Sequence, residues 1–148
     1  MSEAEDKRII RAMINEDYAM LSGPPGPRAY DAIKHHYHPR ATMVRTGLDA
    51  AGRPFATIMS VDDHHADVDE KFVDMAFLEE EIDHQCEVFG NIARVRSVYR
   101  SVFGTGPEAR EGRGVNFYNL IRENGAWKIM SIVWDNERPG LKLGGVPQ

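Results

Sequence analysis

The clearest pattern along the chain is the two-residue alternation of Ile82–Tyr99, IDHQCEVFGNIARVRSVY. Gly90-Asn91 suits a tight turn, and setting Phe89 opposite Ile92 fixes a hairpin register. Val88 then faces Ala93, Cys86 faces Val95, His84 faces Ser97 and Ile82 faces Tyr99 on one side. Glu87–Arg94, Gln85–Arg96 and Glu81–Arg100 take the other side, where opposite charges across a ladder stabilise it by up to ~1 kcal/mol. A one-residue slip would expose Cys86 and Val95. The expected inner face is apolar, with one histidine beside a serine and a tyrosine.

Upstream the period changes. Ile9, Ile10, Met13, Ile14, Tyr18 and Leu21 recur at helical spacing after a capping box of Ser2 and Glu5. Asp17 lies on the same side and is expected at its wet edge. Gly23-Pro24-Pro25-Gly26-Pro27 stops this helix. A second helix is expected from Pro27, with Tyr30, Ile33 and Tyr37 as its stripe and Pro39 as its end. Ala41–Thr46 and Phe55–Val61 read as short strands. Ser60 and Asp62 are candidate caps for a short polar helix around Asp63–Glu70. Phe72–Phe89, Ile92–Phe103, Gly114–Glu123 and Ala126–Glu137 read as four longer strands, the last two joined by the type I′ turn signal Asn124-Gly125. Helices first and an antiparallel meander afterwards is an α+β pattern. A single domain over residues 1–138 is expected, followed by a loose tail over 139–148.

In the last hairpin Glu123 is set opposite Ala126. One face then holds Val115, Phe117, Asn119, Ile121, Met130, Ile132 and Trp134, and the other holds Tyr118, Leu120, Trp127, Ile129 and Val133. A strand pair with one wet face should alternate apolar and polar. Both faces are therefore expected to be covered, the outer one by a twofold copy of the chain, giving a homodimer. Phe117, Asn119 and Trp134 are assigned to the inner face.

Composition narrows the function classes. The net charge is −5 and the basic residues are scattered among acids, which argues against a nucleic-acid surface. The lone cysteine, Cys86, sits mid-strand and reads as a small buried hydrophobe, so a reducing, cytoplasmic setting is expected. No apolar run approaches a membrane span. His35, His36 and His38, and the pair His64-His65, lack the ligand spacing of a metal centre and read as polar surface. Neither a metal nor another cofactor is expected. Gly104-Thr105-Gly106 lacks the helix and lysine of a phosphate loop.

Three stretches, EVFGNIARVRSVYRS, RGVNFYNLIRENGAWKIMSIVWDNERPG and SGPPGPRAYDAIKHHYHPRA, are together similar to segments of the nuclear-transport-factor-2-like superfamily in its SnoaL-like bacterial branch. The resemblance runs from about Glu3 to Pro139. It implies a cone in which a curved antiparallel sheet wraps helices around an internal pocket, often dimeric through the outer sheet face. Ketosteroid isomerase, scytalone dehydratase, limonene-epoxide hydrolase and polyketide cyclases share that fold, as do non-catalytic modules, so the fold leaves the reaction open.

The resulting expectation is an apolar small-molecule pocket. His84 is the candidate general acid/base, Asp17 its orienting group, and Tyr18 or Tyr99 the donor to a substrate oxygen. Ser97, Asn119, Phe117, Trp134 and Tyr37 are candidate ligand contacts. The reaction classes are isomerisation, dehydration and aldol-type cyclisation. A non-catalytic ligand-binding module and a structural dimerisation domain are the alternatives.

Overall fold

The structure, a computed structural model, describes residues 2–145. The end of the expected tail, 146–148, lies outside the described residues. Helix α1 (Glu3–Leu21) starts at Ser2, whose Oγ accepts from the amide of Glu5 at 3.2 Å. Two short 3₁₀ turns, Tyr30–Ala32 and Lys34–His36, stand where a second long helix was expected. Ile33 leaves the helical region between them, with φ −122° and ψ 0°, and Tyr37 already begins a strand.

The strands are β1 (Tyr37–Leu48), β2 (Pro54–Ser60), β3 (Phe77–Phe89), β4 (Ile92–Phe103), β5 (Arg110–Glu123) and β6 (Ala126–Asn136). Helix α2 (Val61–Lys71) links β2 to β3, capped by Ser60 Oγ accepting from the Asp63 amide at 3.1 Å. The six strands form one sheet in the order β2-β1-β6-β5-β4-β3. It is mixed rather than a four-stranded antiparallel meander, because β1 runs parallel to β6. Pro39 falls where the β1–β6 register breaks, so its missing N–H costs no ladder bond. Both helices cover one face of the curved sheet, and the core lies between, around Ile10, Ile14, Val95, Leu120 and Ile129.

The β3–β4 register is the expected one from Phe89–Ile92 back to Asp83–Val98. Beyond that pair it shifts. Glu81 pairs with Tyr99 and Glu80 with Arg100, leaving Ile82 as an extra residue in a β-bulge. Glu81 and Glu79 therefore turn inward, and Glu80 turns out to Arg100.

A second shift lies between Asn119 and Leu120, opposite Met130. It lets Trp127 and Ile129 face the core together with Ile132 and Trp134, although their spacing puts them on opposite faces of a regular strand. This accounts for much of the apolar content on both sides of β6. Ser97 pairs with Asn116 and Val95 with Tyr118, so on β5 Asn116, Tyr118 and Leu120 face inward. Phe117 and Asn119 lie on the outer face instead, Phe117 54% exposed and Asn119 bonded to Ser131 at 3.1 Å. The Asn124-Gly125 turn has both residues at positive φ, 53° and 76°, as a type I′ turn requires. Past β6, Arg138 pairs back on Leu141 and the Leu143 amide donates to Glu137 at 2.6 Å. No helix among the described residues is long and apolar enough to cross a membrane.

Asp6 anchors α1 to the far hairpin. It is buried, and it accepts from Trp127 Nε1 at 3.0 Å and Arg122 Nη1 at 2.9 Å. The indole N–H, with Arg122 beside it, holds this carboxyl below its ordinary range. A carboxylate so held adds stability above its unfolded pKa and loses it as pH falls through the folded value. Asp6→Asn is therefore expected to lower Tm at pH 7, with the deficit shrinking below about pH 4. Thermal unfolding of both proteins across that range checks it.

Candidate active site

A cavity of about 390 Å³ opens between α1, α2 and the concave face of the sheet. Local features of the chain aim its polar wall. Ser22, just past α1, has the carbonyls of Tyr18 and Glu79 at 2.9 and 3.1 Å from Oγ to share its one hydroxyl proton, and that same oxygen accepts from the Glu79 amide at 2.9 Å. Gly23 and Phe77 exchange backbone bonds at 2.8 and 3.0 Å. The end of α1 is thereby tied to the start of β3, and Glu79 faces the cavity.

The carboxyl of Glu79 sits deep in protein yet open to the cavity. Burial pushes its pKa up to about 7, against the pull of the Ser101 hydroxyl at 2.8 Å and of Lys71. Such a carboxyl is half protonated at neutral pH and can give or take a proton.

Asp17 lines the cavity too and is only 4% exposed, not at a wet edge. His36 Nδ1 lies 2.8 Å from Asp17 Oδ1, and the Tyr37 hydroxyl donates to Oδ2 at 2.6 Å. His36 Nε2 meets the exposed Glu16 at 3.1 Å. Burial raises the Asp17 pKa against those hydrogen bonds. Burial opposes charge on His36, but Asp17 and Glu16 outweigh it and its pKa is raised. The pair thus holds a proton between them, connected through His36 to the surface.

A third group runs from the cavity into the protein. Asn116 Nδ2 donates to the Tyr18 hydroxyl at 2.9 Å, and Tyr18 lies 2.8 Å from Ser97 Oγ. The single proton of Ser97 goes to Glu81 Oε2 at 2.5 Å, so Tyr18 must be the donor to Ser97. His84 Nδ1 meets the same carboxylate oxygen at 2.8 Å, and Arg11 stands 3.6 Å from its other oxygen. His84 therefore faces inward as its register implies, but it packs beside α1 and does not line the cavity. Ser97 lies behind the wall with it.

Tyr99 donates to Asn136 Oδ1. Its ring crosses Gly114, where an added Cβ would overlap the phenol and come within 2.6 Å of the Asp135 carbonyl. The protons of Tyr18, Tyr37 and Tyr99 are thus committed to Ser97, Asp17 and Asn136. Tyr118, buried in the wall where it feels Asp17 and Glu79, has no such bond among the described residues. Its hydroxyl is a free donor.

Helix α2 supplies the residues furthest from expectation. His64 and His65 are buried in the cavity wall, and His36 is buried as well, so these three are not polar surface. Val61, His64, His65 and Val68 form the buried stripe, a spacing of i, i+3, i+4 and i+7 that was readable in the sequence. His65 stacks on Tyr30 at 3.8 Å between ring centroids, and His64 stands edge-on to Trp134 at 5.2 Å. Burial drops both pKa values to about 4, so both rings are neutral at pH 7. The His64 Nδ1 atom has no hydrogen-bond partner among the described residues. Among the described residues no group of three or more His, Cys, Asp or Glu is placed to hold a metal ion.

Of the residues singled out in the sequence, the structure brings Asp17, Tyr18, Tyr37, Tyr99 and Trp134 to one cavity. His84 and Ser97 stand one layer behind it, and Phe117 and Asn119 lie on the opposite face of the sheet. Glu79, Asn116, Tyr118, His64 and His65 complete the wall and were missed. The bulge is what turns Glu79 to the cavity and Glu80 out to Arg100.

No family model and no curated protein matches this sequence. Solved structures do. A scytalone dehydratase-like protein from Novosphingobium aromaticivorans has a TM-score of 0.67 at 14% identity, covering 91% of this chain and 86% of that one. The β subunit of the benzoate 1,2-dioxygenase from Burkholderia mallei has a TM-score of 0.66 at 15% identity, covering 91% and 93%. An NTF2-like protein of unknown function from Shewanella baltica has a TM-score of 0.60 at 14% identity, covering 93% and 98%. At such identities the likeness speaks for architecture alone. The chain has the NTF2-like fold: a curved, open sheet of six strands with an internal pocket beneath two helices.

Proposed function

We propose that this protein is an enzyme that moves protons on a small, mostly apolar molecule using its own side chains. The reaction would be an isomerisation, dehydration or aldol-type cyclisation. The observation that carries this reading is Glu79, a carboxyl facing the cavity with its pKa pushed up by burial to about 7. Glu79 is the acid/base in place of His84, and Tyr118 is the donor to the oxygen on which charge develops. Asp17 with His36 forms a second proton store whose charge Tyr118 also feels. Tyr18 and Tyr99 hold the wall in place, and His84 positions Tyr18 through Glu81 and Ser97. The scytalone dehydratase-like neighbour supports the choice of reaction class.

The second reading is a binding or assembly module, and the dioxygenase β subunit supports it. A specific observation favours pairing of two copies in either case. Ile58, Val44, Val133 and Phe117 are direct neighbours across four strands and form an apolar row on the outer face, with Ile58 72% exposed. Arg113 on the outer side of β5 has Nε and Nη2 buried without a partner among the described residues, which costs about 1–3 kcal/mol or more for a charged group, and a second chain on this face would supply acceptors. The homodimer forms through this face. The half-buried thiol of Cys86, pushed up in pKa by burial, fits a reducing cytoplasm.

Three outcomes test these statements. A thermal-shift screen of small ketones, polyketides and terpenoids, followed by mass analysis, identifies a substrate. On that substrate Glu79→Gln lowers turnover by ~10²–10⁴ with the fold intact, and full turnover would sink the assignment. Stability gives a test without substrate. Between about 4.5 and about 7 the folded protein keeps a proton on Glu79 that the unfolded chain has lost, so stability falls as pH rises through that window. Glu79→Gln removes this loss, and its Tm relative to the parent is expected to be higher at pH 8 than at pH 5. Lastly, Phe117→Asp is expected to give a monomer by sedimentation with unchanged circular dichroism.

A further inference from the structure

The positive charge at the mouth of the cavity has no equal opposite. Lys71, the last residue of α2, extends over the aromatic rim, its Nζ 4.8 Å from the Phe103 ring centre and 5.6 Å from that of Phe72. No carboxylate lies within 4 Å of it among the described residues. Arg45 of β1 lies over Trp134 at 5.9 Å and touches only the half-exposed Asp67, at 3.4 Å. Arg110 lies over the other side of the rim, 5.8 Å from Phe103. The three cations feel one another, since Arg45 and Arg110 both depress the Lys71 pKa beyond the effect of burial. Of the other acids of the wall, Glu79, whose charge Lys71 feels, has its pKa pushed up to about 7, and Asp17 shares its proton with His36. The cavity is thus polar in a directional sense, cationic at the α2 mouth and apolar or neutral within.

The cations are also held in a particular way. Each lies on an aromatic face, which fixes the charge; among the described residues the Lys71 and Arg110 side chains have no hydrogen-bond partner, and Arg45 spends one N–H on Asp67. The wall of the same cavity includes the apolar side chains of Trp134, Phe77, Met43 and Ile132. Free donors on a rigid rim with a greasy slot beneath suit a molecule with an anionic group at one end.

We propose that the natural ligand is a small carboxylic acid with a planar or alicyclic apolar body, its carboxylate held by Lys71 and Arg45 and its body lying between Trp134 and Phe77. This deepens the proposed function, resting on the cavity being a ligand pocket but not on Glu79 being the acid/base. It also orients the substrate, with the carboxylate outward and the reacting carbon inward towards Tyr118 and Glu79.

The test is calorimetric titration with 2-naphthoate and with its neutral isostere 2-naphthamide, at low and high salt. The parent protein is expected to bind the naphthoate at least about tenfold tighter, a margin of about 1.4 kcal/mol, and to lose most of that preference in high salt. Lys71→Met should bring the naphthoate down to the affinity of the amide without moving the amide. Lys71→Arg should keep the preference, and circular dichroism should show both variants folded. Equal binding of the two probes by the parent, or a preference unchanged in Lys71→Met, would overturn the carboxylate assignment and leave the pocket reading standing. No saturable binding of either probe would overturn both.

Discussion

One extra residue in β3 decides which acids this protein keeps inside. Side chains on a strand alternate with period two, so the bulge at Ile82 reverses the face of everything before it in the strand. Without it Glu79 and Glu81 would point to solvent among the arginines of β4, and Glu80 would turn in. With it, two carboxyls enter the space between helix and sheet, and the interior must be built to receive them.

It receives them with small hydroxyl donors from the facing strand. Ser97 meets Glu81 and Ser101 meets Glu79, both from β4 and two strand periods apart. An unpaired buried polar group costs about 1–3 kcal/mol, and more if charged, so each of these bonds is a condition for the fold as well as for the site. The two acids are nevertheless treated differently. Glu81 has His84 and Arg11 as added partners and is closed off by α1. Glu79 has one hydroxyl and the field of the Lys71 ammonium, and it opens on the cavity. The difference in partners leaves Glu81 as a structural post and Glu79 as the group free to change its proton.

The same logic runs through the tyrosines and histidines. Tyr18, Tyr37 and Tyr99 spend their protons on neighbours and so fix the wall, whereas Tyr118 keeps its own. Two carboxylates push the His36 pKa up against burial, whereas burial against Trp134 and Tyr30 drops those of His64 and His65 to about 4. Residue type alone would not sort these groups. Their partners do, and every partner comes from a different part of the chain.

Much of the architecture was present in short-range pattern. Helix α1 and its Ser2 cap, the Ser60 cap, the Phe89–Ile92 and Glu123–Ala126 registers and the inward His84 all follow from spacing and turn chemistry within some twenty residues. The stripe Val61, His64, His65, Val68 was present as well, and was obscured by reading histidine as a surface residue. What no local pattern contains is the face of β5. It is set by pairing to β4 across the long 104–109 connection, so Asn116 and Tyr118 rather than Phe117 and Asn119 meet the cavity. Nor does it contain the two bulges, because an extra residue in a strand is accepted only when packing on both sides repays the lost ladder bonds. Composition and periodicity thus determined an α+β chain with a half-apolar sheet. Which polar groups share its interior was decided by tertiary contact, since desolvation and hydrogen bonding depend on neighbours that the linear order keeps far apart.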